Sequence, residues 1–336
     1  VSRYVRGALW AFFLIWPLAC GRGPAEYGGE RPAMGTVVSA RAVAADEETA
    51  RRAVEAAFGA ISDVERVASY HDPNSELSLM NRAAARAPAK VSPALFEIVS
   101  LAREVAAATD GYFDPTVGPI IEAYAIKRGT PRWPDDEELA STMEKVGYRG
   151  IILSEENLTV AFARPGMVVD LSGIAKGWAV DRAAAAMAAA GAKAGIVEAG
   201  GEVACFGGGP KEGELWRIGI QDPDGEGLYA AFRLAAGACA TSGGYARRYE
   251  ADGRKFSHLF NPRTGRPVDG PAGVTAVAAT CAEADGWATA LAVMPAEELD
   301  RLLKKPAGAP ACLIIRRRGK TLEHEMRGNL PYFKTI

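Results

Sequence analysis

Apolar residues recur at helical spacing in some stretches of this chain and fall into short runs in others. Ala53, Val54, Ala57, Phe58, Ile61 and Val64 follow a 3.6-residue period. They predict a helix that begins near Glu47, with Asp46 as its cap. Ser92-Pro93 marks a second helix start, with proline at the first helical position. Its core face is Leu95, Ile98, Val99, Ala102, Val105 and Ala106, and it stops at Asp110-Gly111. Short apolar runs at 36–44, 151–153, 158–162, 167–169, 195–199, 216–220, 229–234, 274–279 and 312–316 read as strands. Asp222-Pro223-Asp224-Gly225 turns between two of them, and Gly200-Gly201 turns sharply after another. A late helix is expected over 284–294. Strand pairs mixed with helices predict an α+β fold with mixed or antiparallel sheets. The GxGxxG dinucleotide fingerprint is absent, and no solenoid-like repeat is seen.

The stretch Val169-Asp170-Leu171-Ser172-Gly173-Ile174-Ala175-Lys176-Gly177 reads as strand, tight turn and helix, followed by an alanine-rich run to Gly191. Ser172 or Gly173 falls near the helix N-terminus. Free N–H groups and the helix dipole there suit a phosphate, and Lys176 adds a point charge on the first turn. A capped helix with a solvated lysine fits the same residues. Asp285 and Thr289 are four apart and share a helix face. A carboxylate and a hydroxyl are hard oxygen donors of the kind magnesium accepts. Equally, Asp285 can cap the helix while Thr289 back-bonds to a carbonyl. His258 precedes the Asn261-Pro262 turn and fits either a general base or a structural hydrogen bond. Tyr70, in the loop 69–75, could stack on an aromatic ring; His71 beside it is assigned nothing. His324 lies among charges near the end of the chain and reads as solvated.

At 336 residues the chain is long enough for one large domain or two joined ones, and its formal net charge of −2 gives no support for nucleic-acid binding. Residues 1–19 read as a signal peptide: Arg3 and Arg6 precede an apolar run from Ala8 to Ala19. Pro17-Leu18-Ala19-Cys20 is similar to a bacterial lipobox, although proline departs from the usual aliphatic residue. Residues 20–31 are expected to be a linker after a lipidated Cys20, and 32–336 the folded domain. Cys205, Cys239, Cys281 and Cys312 show no CxxC spacing and sit among apolar or small residues, so buried free thiols are expected.

Several motifs in one order resemble the FAD:protein FMN transferases, the ApbE family. They are Met34-Gly35-Thr36; Ser75-Glu76-Leu77-Ser78 with Asn81; Gly111-Tyr112-Phe113-Asp114-Pro115-Thr116; the Asp170 to Lys176 stretch; Thr241-Ser242-Gly243-Gly244-Tyr245; His258-Leu259-Phe260-Asn261-Pro262-Arg263-Thr264-Gly265; and Ala284-Asp285-Gly286-Trp287-Ala288-Thr289. The resemblance runs from about Arg31 to the end of the chain.

What the resemblance implies is specific. The fold would be ApbE-like. The reaction would move FMN from FAD to a threonine hydroxyl of an acceptor flavoprotein, with release of AMP. Magnesium would be held by Asp285, Thr289 and the Gly173 carbonyl. FAD, the substrate, would meet Met34, Tyr70, Tyr112, Phe113, Asp114, Asp170, Lys176 and Leu259, with Tyr245 a weaker aromatic candidate. His258 would take the hydroxyl proton, and His258 and Asp285 would be the catalytic pair. The acceptor would be a subunit of a membrane redox complex, and the enzyme an exported lipoprotein on the periplasmic face of the bacterial inner membrane. Two positions depart from the family pattern: Asn261 stands where aspartate is common, and Glu202 follows Gly201 where asparagine is usual. A metal-dependent FAD pyrophosphatase, with water as the attacking group, would use the same site. A non-catalytic FAD-binding lipoprotein is the third reading.

Overall fold

The computed structural model describes residues 24–126, 129–211, 213–243, 248–303, 310–319 and 321–336. The expected signal segment, Cys20 and Tyr245 lie outside the described residues. In chain order the elements are β1 (Ala25–Ala33), β2 (Thr36–Ala44), α1 (Glu47–Ala68), α2 (Glu76–Ala84), β3 (Ala89–Lys90), α3 (Pro93–Ala108), α4 (Gly118–Ala123), α5 (Asp136–Met143), β4 (Ile151–Ser154), β5 (Thr159–Phe162), α6 (Ala175–Ala189), β6 (Ala194–Ala199) and β7 (Glu202–Phe206). There follow β8 (Trp216–Gln221), β9 (Leu228–Leu234), β10 (Gly237–Ser242), β11 (Arg248–Ala251), β12 (Arg254–Ser257), β13 (Gly273–Ala278), α7 (Cys281–Val293), α8 (Ala296–Leu303), β14 (Ala311–Arg318), β15 (Thr321–Arg327) and β16 (Lys334–Thr335).

Among the described residues the main sheet has the order β1-β2-β6-β7-β10-β13-β14-β15, every pair antiparallel. Its inner strands are covered on both faces, and their side chains sort by the two-residue period of a strand. On β14, Cys312 and Ile314 point to the helices, while Leu313 and Ile315 point to the other face. The first face carries α1, α6 and α7 and is rich in alanine, which lets the helices approach closely. The second face packs on the smaller β16-β9-β8 sheet through Trp216, Ile218, Ile220, Phe232 and Leu234. A satellite cluster of Ile120, Tyr124, Leu139, Phe256 and Phe260 lies beneath the β11-β12 hairpin. Among the described residues no helix is long and apolar enough to cross a membrane. The α+β fold with antiparallel sheets is as expected.

The two predicted helix starts are found where the sequence puts them. Asp46 accepts from Thr49 N at 2.8 Å, and Ser92 accepts from Leu95 N at 3.2 Å, with Pro93 leading α3. All six stripe residues of each helix are buried.

Three expectations need correction. Residues 25–31, expected as linker, belong to β1, which pairs with β2 along its whole length. Residues 167–169 form no strand. The Asn81 side chain takes both backbone groups of Val169, at 2.9 and 2.8 Å, in place of a neighbouring strand. The central helix begins at Ala175, not at Ser172 or Gly173, and has no side-chain cap. Ser172 is engaged upstream instead, where Asp170 Oδ1 accepts from its N–H at 2.9 Å.

Candidate active site

The site is built at one end of the main sheet, where α6 crosses α7. Gly177, one turn into α6, donates its N–H to Asp285 Oδ2 at 3.0 Å. Asp285 lies inside α7 and Thr280 caps that helix, so the capping reading of Asp285 does not hold. One turn further along α7, Thr289 Oγ1 reaches the Gly173 carbonyl at 3.5 Å. Three hard oxygen groups, the Gly173 carbonyl, the Thr289 hydroxyl and the Asp285 carboxylate, thus line one crossing. That donor set fits a small divalent cation, which takes a few protein oxygens and completes its shell with water and phosphate. It includes one carboxylate, and among the described residues no group of three or more histidine, cysteine, aspartate or glutamate side chains is poised to hold a metal.

The Tyr112-Phe113-Asp114 turn closes one side. Asp110 and Gly111 both adopt positive φ, 53° and 76°, which reverses the chain at the end of α3. Buried Thr109 accepts from Phe113 N at 3.2 Å and fixes the turn. The ring of Phe113 meets the metal-ligand candidates directly: a methyl group on Gly173 would lie 3.3 Å from Phe113 Cε2 and 3.2 Å from Thr289 Oγ1. Asp114 faces inward. Its two oxygens accept from Thr116 N, Thr116 Oγ1 and Tyr148 N at 2.8, 2.6 and 2.8 Å, and burial raises its pKa. Its carboxylate therefore shapes the turn that carries the two aromatics.

The loop after β12 lies against the same turn. The Arg263 guanidinium sits 4.5 Å from the centre of the Tyr112 ring. Ser257 Oγ accepts from Leu259 N at 2.9 Å and donates to Val268 O at 3.0 Å, which holds His258 between two anchored neighbours. His258 is half-buried and Leu259 buried. Asn261, the departure from aspartate, is buried and accepts from Arg263 N at 2.9 Å, so the carboxamide still forms the turn.

Met34 has φ 54° in the β1-β2 turn and donates its N–H to Glu65 at 2.6 Å. Thr36 next to it packs against Gly200, at the same sheet end as Glu202. Tyr70, in the loop after α1, donates to Glu122 of α4 at 3.2 Å. The structure brings Phe113, Gly173, Lys176, Asp285 and Thr289 together, while Met34, Tyr70 and the His258 loop lie on the surrounding elements.

The electrostatics centre on Lys176, which pairs with Glu202 of β7. Burial alone would lower the lysine pKa; the Asp285 and Glu202 carboxylates outweigh it and raise it. Two carboxylates around one ammonium are each pushed up by burial. Among the described residues the four cysteines are buried and free, and burial raises their pKa values, Cys205 to about 12 and Cys312 to about 11. They are poor nucleophiles in this state.

One residue of the crossing carries no signal in the sequence beyond its place in the central stretch. Asp181 of α6 accepts from Cys281 N at 2.7 Å and Ala282 N at 2.8 Å, satisfying the open end of α7. Burial pushes its pKa up to about 6 against the pull of those two N–H groups. A carboxyl whose folded pKa is raised gives most stability when protonated. Its contribution is greatest below its unfolded value near 4, falls as pH rises to about 6, and is constant above that. In chelator-treated protein, the stability of the wild type relative to Asp181→Asn should therefore fall by about 2 kcal/mol between pH 4 and pH 7. Denaturant titration at both pH values measures this, and a constant or rising difference would contradict the burial argument.

Fold and site together define an α+β protein that gathers a lysine ammonium and hard oxygen donors where two helices cross at a sheet end. The ApbE family model matches residues 34–314, and the chain belongs to that family. It is 32% identical over 296 residues to an FAD:protein FMN transferase of Vibrio cholerae, covering 85% of this chain and 86% of that protein. An FAD:protein FMN transferase of Klebsiella pneumoniae is 31% identical over 291 residues, 84% and 82% of the two chains. Among solved structures, the ApbE protein of Thermotoga maritima superposes with a TM-score of 0.79 at 31% identity, covering 89% of this chain and 96% of its own. The flavin transferase ApbE of Vibrio cholerae gives 0.78 at 29% identity, with 90% and 97% covered.

Proposed function

We propose that this protein is an FAD:protein FMN transferase that moves FMN from FAD to a threonine hydroxyl of an acceptor flavoprotein and releases AMP. Carrying this reading is the crossing of α6 and α7, in a chain of the ApbE family: the Gly173 carbonyl meets Thr289 Oγ1 at 3.5 Å, with Asp285 and Lys176 alongside. Gly173, Asp285 and Thr289 would hold magnesium. When bound, that ion would balance charge on the transferring phosphoryl group. Lys176 binds the pyrophosphate of FAD and orients it. Tyr112, Phe113 and Leu259 wall the nucleotide and keep water out, with Tyr70 and Met34 at the rim. Asp170 accepts from a hydroxyl or amine of the nucleotide, and Asp114 positions the aromatic turn. His258 takes the proton of the attacking threonine hydroxyl. The N-terminal segment supports export, with anchoring through Cys20 on the periplasmic face and a membrane redox subunit as acceptor. Detection of the unprocessed N-terminus on a cytosolic protein would rule that location out.

Asp285→Ala and Thr289→Ala each delete a proposed cation ligand without touching the sheet. Both should fold and bind magnesium at least about 10-fold more weakly, read by calorimetry, with a matching loss of FMN transfer at limiting magnesium. Wild-type magnesium affinity in both variants would mean that the ion binds elsewhere.

A further inference from the structure

Glu202 is the least expected residue of the site. It opens β7 directly after the Gly200-Gly201 turn. Its side chain is 3% exposed, against 30% for Lys176, so a carboxylate is buried beneath a lysine that still reaches the surface. One carboxylate oxygen meets Lys176 Nζ; the other is buried with no hydrogen-bond partner among the described residues. Burial and the nearby Asp285 push the Glu202 pKa up, and Lys176 pulls it back down, so the pairing with the ammonium is what favours the charged form.

We infer that Glu202 is a resident counter-anion for Lys176, displaced from it by the phosphates of FAD, so that it lowers the affinity of the site for anionic flavins. The inference rests on the reading of Lys176 as the pyrophosphate contact. Without ligand, Glu202 compensates the Lys176 charge and holds the side chain against the sheet end. An incoming pyrophosphate must take the ammonium from Glu202 and must approach the Glu202 and Asp285 carboxylates that act on the same lysine. Both effects oppose binding, and neither acts on an uncharged flavin. A purely structural ion pair predicts the reverse, because losing one partner leaves Lys176 unanchored and weakens the site for every ligand.

The test is FAD titration by flavin fluorescence in the presence of chelator, with riboflavin as the phosphate-free probe. Wild type, Glu202→Gln, Lys176→Ala and the double variant are compared; Glu202→Asn is the second neutral variant should the glutamine protein fold poorly. Removing one charge at this range should tighten FAD by about 10-fold. Riboflavin affinity should not change, and in the Lys176→Ala background the Glu202 substitution should have less than half its effect on FAD. Unchanged or weaker FAD binding in a folded neutral variant would overturn the inference, as would equal tightening of riboflavin. A distinct failure is also readable: if Lys176→Ala binds FAD as the wild type does, the pyrophosphate assignment is wrong, and the role of Glu202 falls with it.

Discussion

Gly177→Ala is expected to destabilise the protein by about 3 kcal/mol or more and to abolish transfer with it. The added Cβ would lie 2.3 Å from the Cys281 carbonyl oxygen, 2.6 Å from its carbon and 2.8 Å from Ala282 Cα. These are backbone atoms of the first turn of α7, and no rotamer change relieves them. Nor can that turn retreat freely, because Asp181, one turn beyond Gly177 on the same helix, holds Cys281 N and Ala282 N. Any shift that admits the methyl group also lengthens the Gly177 N–H bond to Asp285. Stability and site geometry therefore share one contact. Denaturant unfolding of the variant beside the wild type checks the first part, and magnesium affinity the second. Wild-type stability in Gly177→Ala would show that the two helices are less closely docked than described.

His258→Ala is expected to bind FAD normally and to transfer FMN about 100- to 10,000-fold more slowly, the usual cost of deleting a general base. His258 stands between Ser257 and Leu259, whose hydrogen bonds fix the strand end, and its loop rests on Tyr112 through Arg263. Deleting the imidazole leaves those anchors in place. Single-turnover transfer to a threonine-containing acceptor, with FAD titration alongside, separates the two effects. Weakened FAD binding with normal transfer would make His258 a pocket-wall residue.

Helices with strong periodicity and polar caps were legible in the sequence, because their signals are local. The stripes of α1 and α3 and the caps Asp46 and Ser92 needed no distant partner. Strands made of small or charged residues were not legible. β10 is built of glycine, alanine, cysteine, threonine and serine, β7 opens on a glutamate and is only five residues long, and β1 contains glycine, proline and glutamate. Their strand character comes from pairing within the sheet rather than from side-chain pattern. The run at 167–169 has a strand's composition, yet both backbone groups of Val169 pair with Asn81, 88 positions earlier in the chain. The same distance effect governed the site. The motifs named Lys176, Asp285 and Thr289, but Asp181 acts on backbone groups 100 and 101 residues away. The unusual glutamate at 202 was visible as a departure, while its pairing with Lys176 required the fold.

The central claim is that a protein hydroxyl, not water, receives FMN. It is tested most directly by incubating the protein with FAD and magnesium, with and without a threonine-containing acceptor, and following AMP, free FMN and acceptor mass together. The account predicts AMP release that depends on acceptor, matched one to one by FMN joined to the acceptor threonine. Free FMN formed equally fast with and without acceptor, and no flavin on the acceptor, would contradict it and make the protein an FAD pyrophosphatase.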